Sequence, residues 1–134
     1  MKYLILFLFM IFCHIVDDYY LQGILASMKQ RKWWKNNAPE PMYKYDWAIA
    51  LLEHAFSWAF MVHLPLLLYR YLGLIEYSGF VFLASFIINW IIHAVVDHLK
   101  ANLFKINLIQ DQIFHICQII MTWLIFANIG RHTT

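Results

Sequence analysis

Three pairs of residues carry the chemistry of this chain: His14 with Asp18, His93 with Asp97, and Asp111 with His115. Each pair is spaced i,i+4, so on a helix both side chains lie on one face, one turn apart. Imidazole suits zinc, iron, copper or nickel, and carboxylate adds hard oxygen donors. Helix bundles build metal sites from such side chains on facing helices. His54, on a fourth apolar segment and without an aspartate four residues away, is a further donor. The expected ligand set is His14, Asp18, His54, His93, Asp97, Asp111 and His115, around a divalent transition metal, zinc or iron first.

The elements that must position these residues are apolar. The chain has 134 residues, 63% hydrophobic and 13% charged, which excludes an ordinary soluble domain. The apolar runs predict four transmembrane helices at about 3–25, 47–72, 79–99 and 108–129. The fold class is therefore all-α, a polytopic membrane protein with a four-transmembrane-helix bundle in one domain, 1–134. The first run follows Lys2 but lacks the small-residue pattern of a signal-peptide cleavage site, and is read as a span. Cys13 and Cys117 both fall inside spans, so no disulfide framework is expected. Residues 29–46 form the one long loop, rich in lysine, with Trp33, Trp34 and two prolines. Tryptophan, tyrosine and lysine together mark a membrane interface, which explains this loop without nucleic acid.

Charge placement sets the expected orientation. The loops 29–46 and 100–107 hold seven of the ten Lys and Arg residues, leaving Lys2, Arg70 and Arg131 for the other side. The positive-inside rule puts both loops in the cytoplasm and both termini outside, in a bacterial inner membrane. All four ligand histidines then fall in the same half of the bilayer. Each lies seven residues from Leu21, Trp47, Lys100 or Leu108, taken as interface markers, or about 10 Å deep. Each aspartate of a pair sits one turn nearer the cytoplasm.

Other residues fit the site less well. Glu53 neighbours His54, and only one of the two points straight inward; His54 is preferred. His98 lies about 100° off the inner stripe of its helix, His63 lies toward the opposite face, and His132 lies in the tail. Asn89 and Gln118 sit one turn deeper than the ligands and are expected to support them. Paired histidines also bind haem, but haem needs no carboxylate beside each histidine. Ser27, Ser57, Ser78 and Ser85 stand in no nucleophile-elbow context. A single ion-paired His/Asp brace between helices explains any one pair; three pairs and His54 at one level favour metal.

The motifs His14-x3-Asp18-x2-Leu21-Gln22, His93-x3-Asp97-x2-Lys100 and Asp111-Gln112-x2-His115, with His54, resemble those of small polytopic bacterial and phage membrane proteins grouped as a domain of unknown function. The resemblance spans nearly the whole chain and implies no activity. The His-x3-Asp helices are also loosely similar to those of membrane-bound metal-dependent hydrolases. The expected function is that of a membrane-embedded metal-binding protein, as a hydrolase acting on a lipid-borne or interfacial substrate at the cytoplasmic face. Asp18 or Asp17 would take the proton from water. Lys100 would pair with Asp97 or orient an anionic headgroup. The alternative is a non-catalytic, phage-encoded membrane protein whose polar core holds the bundle while the Trp33–Trp34 loop engages a host partner. Membrane lipid is the expected partner in either case, and a homo-oligomer would help four short helices enclose the site.

Overall fold

The long apolar runs cannot leave backbone amides unpaired in lipid, so each closes its hydrogen bonds within a helix. In a computed structural model of the protein, which describes residues 1–132 apart from the His132 side chain, the chain is all-helical with no strand among the described residues. Helix α1 (Lys2–Val16) passes into a π-helical turn, Asp17–Leu21. Two short helices follow, α2 (Leu25–Met28) and α3 (Arg31–Asn37), then a 3-10 turn, Pro41–Tyr43. The remaining long helices are α4 (Asp46–Tyr71), α5 (Gly79–Ala101) and α6 (Leu108–His132). The first segment with its π turn, α4, α5 and α6 are each long and apolar enough to cross a membrane.

Two differences from the sequence reading concern boundaries. The first span ends at Leu21 rather than near 25. The Gln22 amide reaches back five residues to the Asp17 carbonyl at 3.1 Å, and Gly23 turns the chain at φ +47°, a backbone conformation that favours glycine. The loop 29–46 is not irregular throughout, because α3 and the 3-10 turn lie within it. The Trp34 indole anchors it by donating to the Met28 carbonyl at 2.6 Å. Ser78 caps α5 by accepting the Phe80 amide, the ordinary use of serine at an N-cap.

The long helices alternate in direction. At one end the Lys2 ammonium donates to the Leu74 carbonyl and the Trp123 indole to the Tyr3 carbonyl. At that end Gly130 is packed so tightly that a Cβ there would stand 2.8 Å from the Tyr3 hydroxyl. At the other end Asn102 ties the start of α3 to the end of α5, and Lys100 pairs with Asp111. A continuous apolar core built on Leu6, Met10, Trp58, Val62, Leu66, Ile119 and Phe126 fills the half nearest the termini. Outward-facing Leu, Ile and Phe side chains cover the helices, as a lipid-facing surface requires.

Candidate metal centre

The polar residues of the long helices collect in the half of the bundle nearest the 22–45 connection. His14, Asp17, Asp18, His54, His93, Asp97, Asp111 and His115 are all buried. Helix α1 and its π turn supply the first three, α4 supplies His54, α5 supplies His93 and Asp97, and α6 supplies Asp111 and His115. The π turn presents Asp17 and Asp18 inward together. Such turns are rare and concentrate at functional sites. Glu53 is exposed while His54 is fully buried.

Donor atoms from different helices converge. His54 Nε2 lies 3.3 Å from His93 Nε2, 3.1 Å from Asp97 Oδ2 and 3.7 Å from Asp18 Oδ1. His115 Nε2 lies 3.6 Å from Asp97 Oδ1 and 3.4 Å from Asp111 Oδ1. Zinc bonds of about 2.0–2.1 Å place tetrahedral ligands about 3.3–3.4 Å apart, so these separations suit the corners of a coordination shell. Two donor sets, Asp18/His54/His93 and His93/Asp97/His115, each fall within 4.8 Å. The imidazoles are packed face to face, His93 against Trp58 at 4.2 Å and against His115 at 4.1 Å between ring centres.

Charge and hydrogen bonding test whether a cation fits. Four buried aspartates, Asp17, Asp18, Asp97 and Asp111, face two lysines, Lys29 and Lys100. With neutral imidazoles, four negative charges less two positive leave two, the charge of one divalent ion. Asp111 Oδ1 and His115 Nε2 are buried with no hydrogen-bond partner among the described residues, as is Asp17 Oδ2. Buried polar atoms are normally satisfied, and a cation beside Asp111 Oδ1 and His115 Nε2 would satisfy those two. Buried His/Asp groups of this chain can therefore hold a metal ion.

His14 stands apart from the expected ligand role. The Trp58 indole N–H, which can only donate, points at His14 Nδ1 at 2.8 Å. Nδ1 is therefore the acceptor and Nε2 carries the proton, which it donates to Gln112 Oε1 at 3.1 Å. The Gln112 amide in turn donates to Asp18 Oδ2 and Asp111 Oδ2. Both His14 nitrogens are engaged, so this side chain orients two acids instead of offering a lone pair. Lys100 also differs from expectation: it pairs with Asp111, not Asp97. Three residues past Asp97, it lies about 60° round α5, on the side of α6. Asp97 is taken by Lys29, whose Nζ is 2.6 Å from Oδ2.

Lys29, Trp58, Gln112 and Ser57 are the participants that sequence reasoning passed over. Lys29 is 6% exposed although it belongs to the basic loop. It follows the turn at Gly23, so helical period does not link it to Asp18, and the sequence carries no signal for its burial. Trp58 follows His54 by four, the same spacing as the His/Asp pairs. Ser57 donates to Asp17 Oδ1 at 2.6 Å. Gln118 touches His115 Nδ1 at 3.4 Å and donates to Asn89, the supporting layer expected beneath the site. His98 stacks on Trp47 outside the cluster. His63 is satisfied elsewhere, by the Ala59 carbonyl and Ser85. One chain buries the cluster without a second copy. The chain matches no protein-family model, no curated protein sequence and no solved structure.

Proposed function

We propose that the protein is a membrane-embedded metal-dependent hydrolase that acts on a lipid-borne substrate at the cytoplasmic face of a bacterial inner membrane. The observation that carries this reading is the convergence of His54, His93, His115, Asp18, Asp97 and Asp111 in a buried cluster with unpartnered donor atoms. Orientation rests on the Lys/Arg asymmetry, and the motif resemblance to small polytopic membrane proteins stands beside it. Zinc or iron bound there would polarise the attacked oxygen and lower the pKa of water toward 7.

The chain's own residues supply the rest. Asp17 is anchored through Oδ1 by Ser57, and its Oδ2 has no partner among the described residues. That oxygen takes the proton of the attacking water and returns it to the departing oxygen of the substrate, while the hydroxyl stays on the attacked centre. Asp18, held by Gln112, keeps its place in the ligand set. Two pockets lie beside the site, each lined by a residue that touches one of its acids. Lys29, Lys100, Gln22 and Gln30 line a pocket of about 350 Å³ at the connection end, suited to an anionic headgroup. An apolar groove of about 450 Å³ between Tyr19 and α6 has Gln112 in its wall. Gln112 also touches Asp18 and Asp111, so a lipid chain in the groove ends beside the cluster.

The second reading is a non-catalytic protein with a structural core, engaging a host partner through the loop of Trp33 and Trp34. It is favoured by the ion pairs of Lys29 with Asp97 and Lys100 with Asp111, which bind helices together without any metal. The two readings separate on Asp17→Asn. Zinc-loaded protein is incubated with vesicles of anionic phospholipid and the products are followed by mass spectrometry. Turnover that disappears in Asp17→Asn while bound metal stays at the wild-type level supports the hydrolase. A biological effect lost in Trp33→Ala and Trp34→Ala but retained in Asp17→Asn overturns it.

A further inference from the structure

The donor atoms do not all fall in one candidate set. Asp18 belongs to the first of the two candidate sets, Asp18/His54/His93 and His93/Asp97/His115, and Asp111 to neither, although each of these acids faces a ligand histidine. An ion with bonds of about 2.0–2.2 Å reaches opposite ligands only about 4.2 Å apart. The two sets share His93, but one imidazole nitrogen has one lone pair and serves one ion. Asp97 has two oxygens, and they face different histidines. Oδ2 lies toward His54 and His93, at 3.1 and 3.8 Å. Oδ1 lies toward His115, at 3.6 Å.

We propose that the cluster is a two-metal centre bridged by the Asp97 carboxylate. One divalent transition metal is held by Asp18, His54, His93 and Asp97 Oδ2, and a second by Asp97 Oδ1, His115 and Asp111 Oδ1. This deepens the metal-dependent reading above and rests on it. The second position has its own support. Asp111 Oδ1 and His115 Nε2 are fully buried, 3.4 Å apart, and neither makes a hydrogen bond among the described residues. Lys100 and Gln112 both bind the other oxygen of Asp111, Oδ2, and leave Oδ1 turned to the histidine. Lys29 occupies Asp97 Oδ2 at 2.6 Å, and a carboxylate oxygen has a second lone pair for a metal. Two ions raise the charge of the cluster from −2 to +2. An anionic substrate entering past Lys29 and Lys100 restores neutrality. Paired ions held about 3.5–4 Å apart clamp both the attacking and the leaving oxygen in phosphoryl and acyl transfer.

Metal stoichiometry tests this on full-length protein in detergent. The protein is stripped with chelator, loaded with excess zinc, desalted and analysed for zinc per chain. Two ions are expected in the wild type and one in Asp111→Asn, which removes a ligand from the second position only. A parallel sample loaded with manganese(II) is examined by electron paramagnetic resonance, so that the test survives if Asp111→Asn fails to fold. A spin-coupled pair supports the bridge. One zinc per chain in the wild type, with an isolated six-line manganese signal, overturns the two-metal centre and leaves a single metal site standing. No bound zinc at all overturns the metal reading itself.

Discussion

The Trp58 indole donates to His14 Nδ1 at 2.8 Å, and this bond sets the direction of a chain of hydrogen bonds ending on two carboxylates. His14 must then donate from Nε2, Gln112 must accept with its oxygen, and its amide must face Asp18 and Asp111. A residue in the apolar core thus orients acids one helix away. Supporting contacts of this kind are worth about 10–100-fold in metal affinity. Trp58→Phe keeps an aromatic ring against His93 and deletes only the donor. It is expected to weaken zinc binding by about tenfold or more, read by competition with a chelating dye. Unchanged affinity would show that His14 holds its tautomer without the indole.

Lys29 and Asp97 form the more buried of the two lysine–aspartate ion pairs of the bundle. Removing one partner of such a pair costs about 3–5 kcal/mol, because the other charge stays buried and uncompensated. Lys29→Met is expected to lower the unfolding temperature in detergent strongly. Zinc should restore part of the loss, since a ligand at a hundredfold its Kd adds about 2.7 kcal/mol. If zinc restores nothing, the pair is a brace and Asp97 is not a ligand.

Orientation is tested at Lys35. A Lys35→Cys substitution should remain unlabelled when a membrane-impermeant maleimide is added to intact cells, and react once the cells are lysed. Cys13 is buried and Cys117 lies in a span, so wild-type protein provides the background. Labelling from outside would reverse the topology and place the cluster at the opposite face.

Tyr77 lies in the turn between α4 and α5, outside the spans. Burial pushes its phenol above the ordinary value of 10, against the opposing pull of the Arg70 guanidinium. Its hydroxyl donates to the Leu66 carbonyl at 3.1 Å. A folded-state value raised above the unfolded one means stability that is complete below pH 10 and lost as pH rises through the folded value. Tyr77→Phe should therefore be less stable than wild type by about 1 kcal/mol near pH 8. That gap should close above pH 10 in thermal unfolding measured across the range. A gap that stays constant would mean that the phenol ionises at the same pH in the folded and the unfolded chain.

Much of this architecture is written in one dimension. Apolar run length sets the four helices, because unpaired amides cannot remain in lipid. The i,i+4 spacing places each His/Asp pair on one face whatever the neighbours do, and the equal depth of four histidines follows from counting residues along helices of constant rise. His54 over Glu53 was legible because only one of two adjacent helical residues can face the bundle axis. Three features depend on contacts between helices and had no such signature. The π turn at Asp17–Leu21 had no sequence signal, although an α-helical count already leaves Asp17 able to face inward beside Asp18. The exchange of lysines, Lys29 to Asp97 and Lys100 to Asp111, depends on how the α2–α3 connection folds over the end of the bundle. The position of His14 as an orienting residue comes from the Trp58 indole across the α1–α4 interface. Periodicity says which face a side chain occupies; which atom of a neighbouring helix meets it is decided by rotation, register and rotamer, which only packing determines.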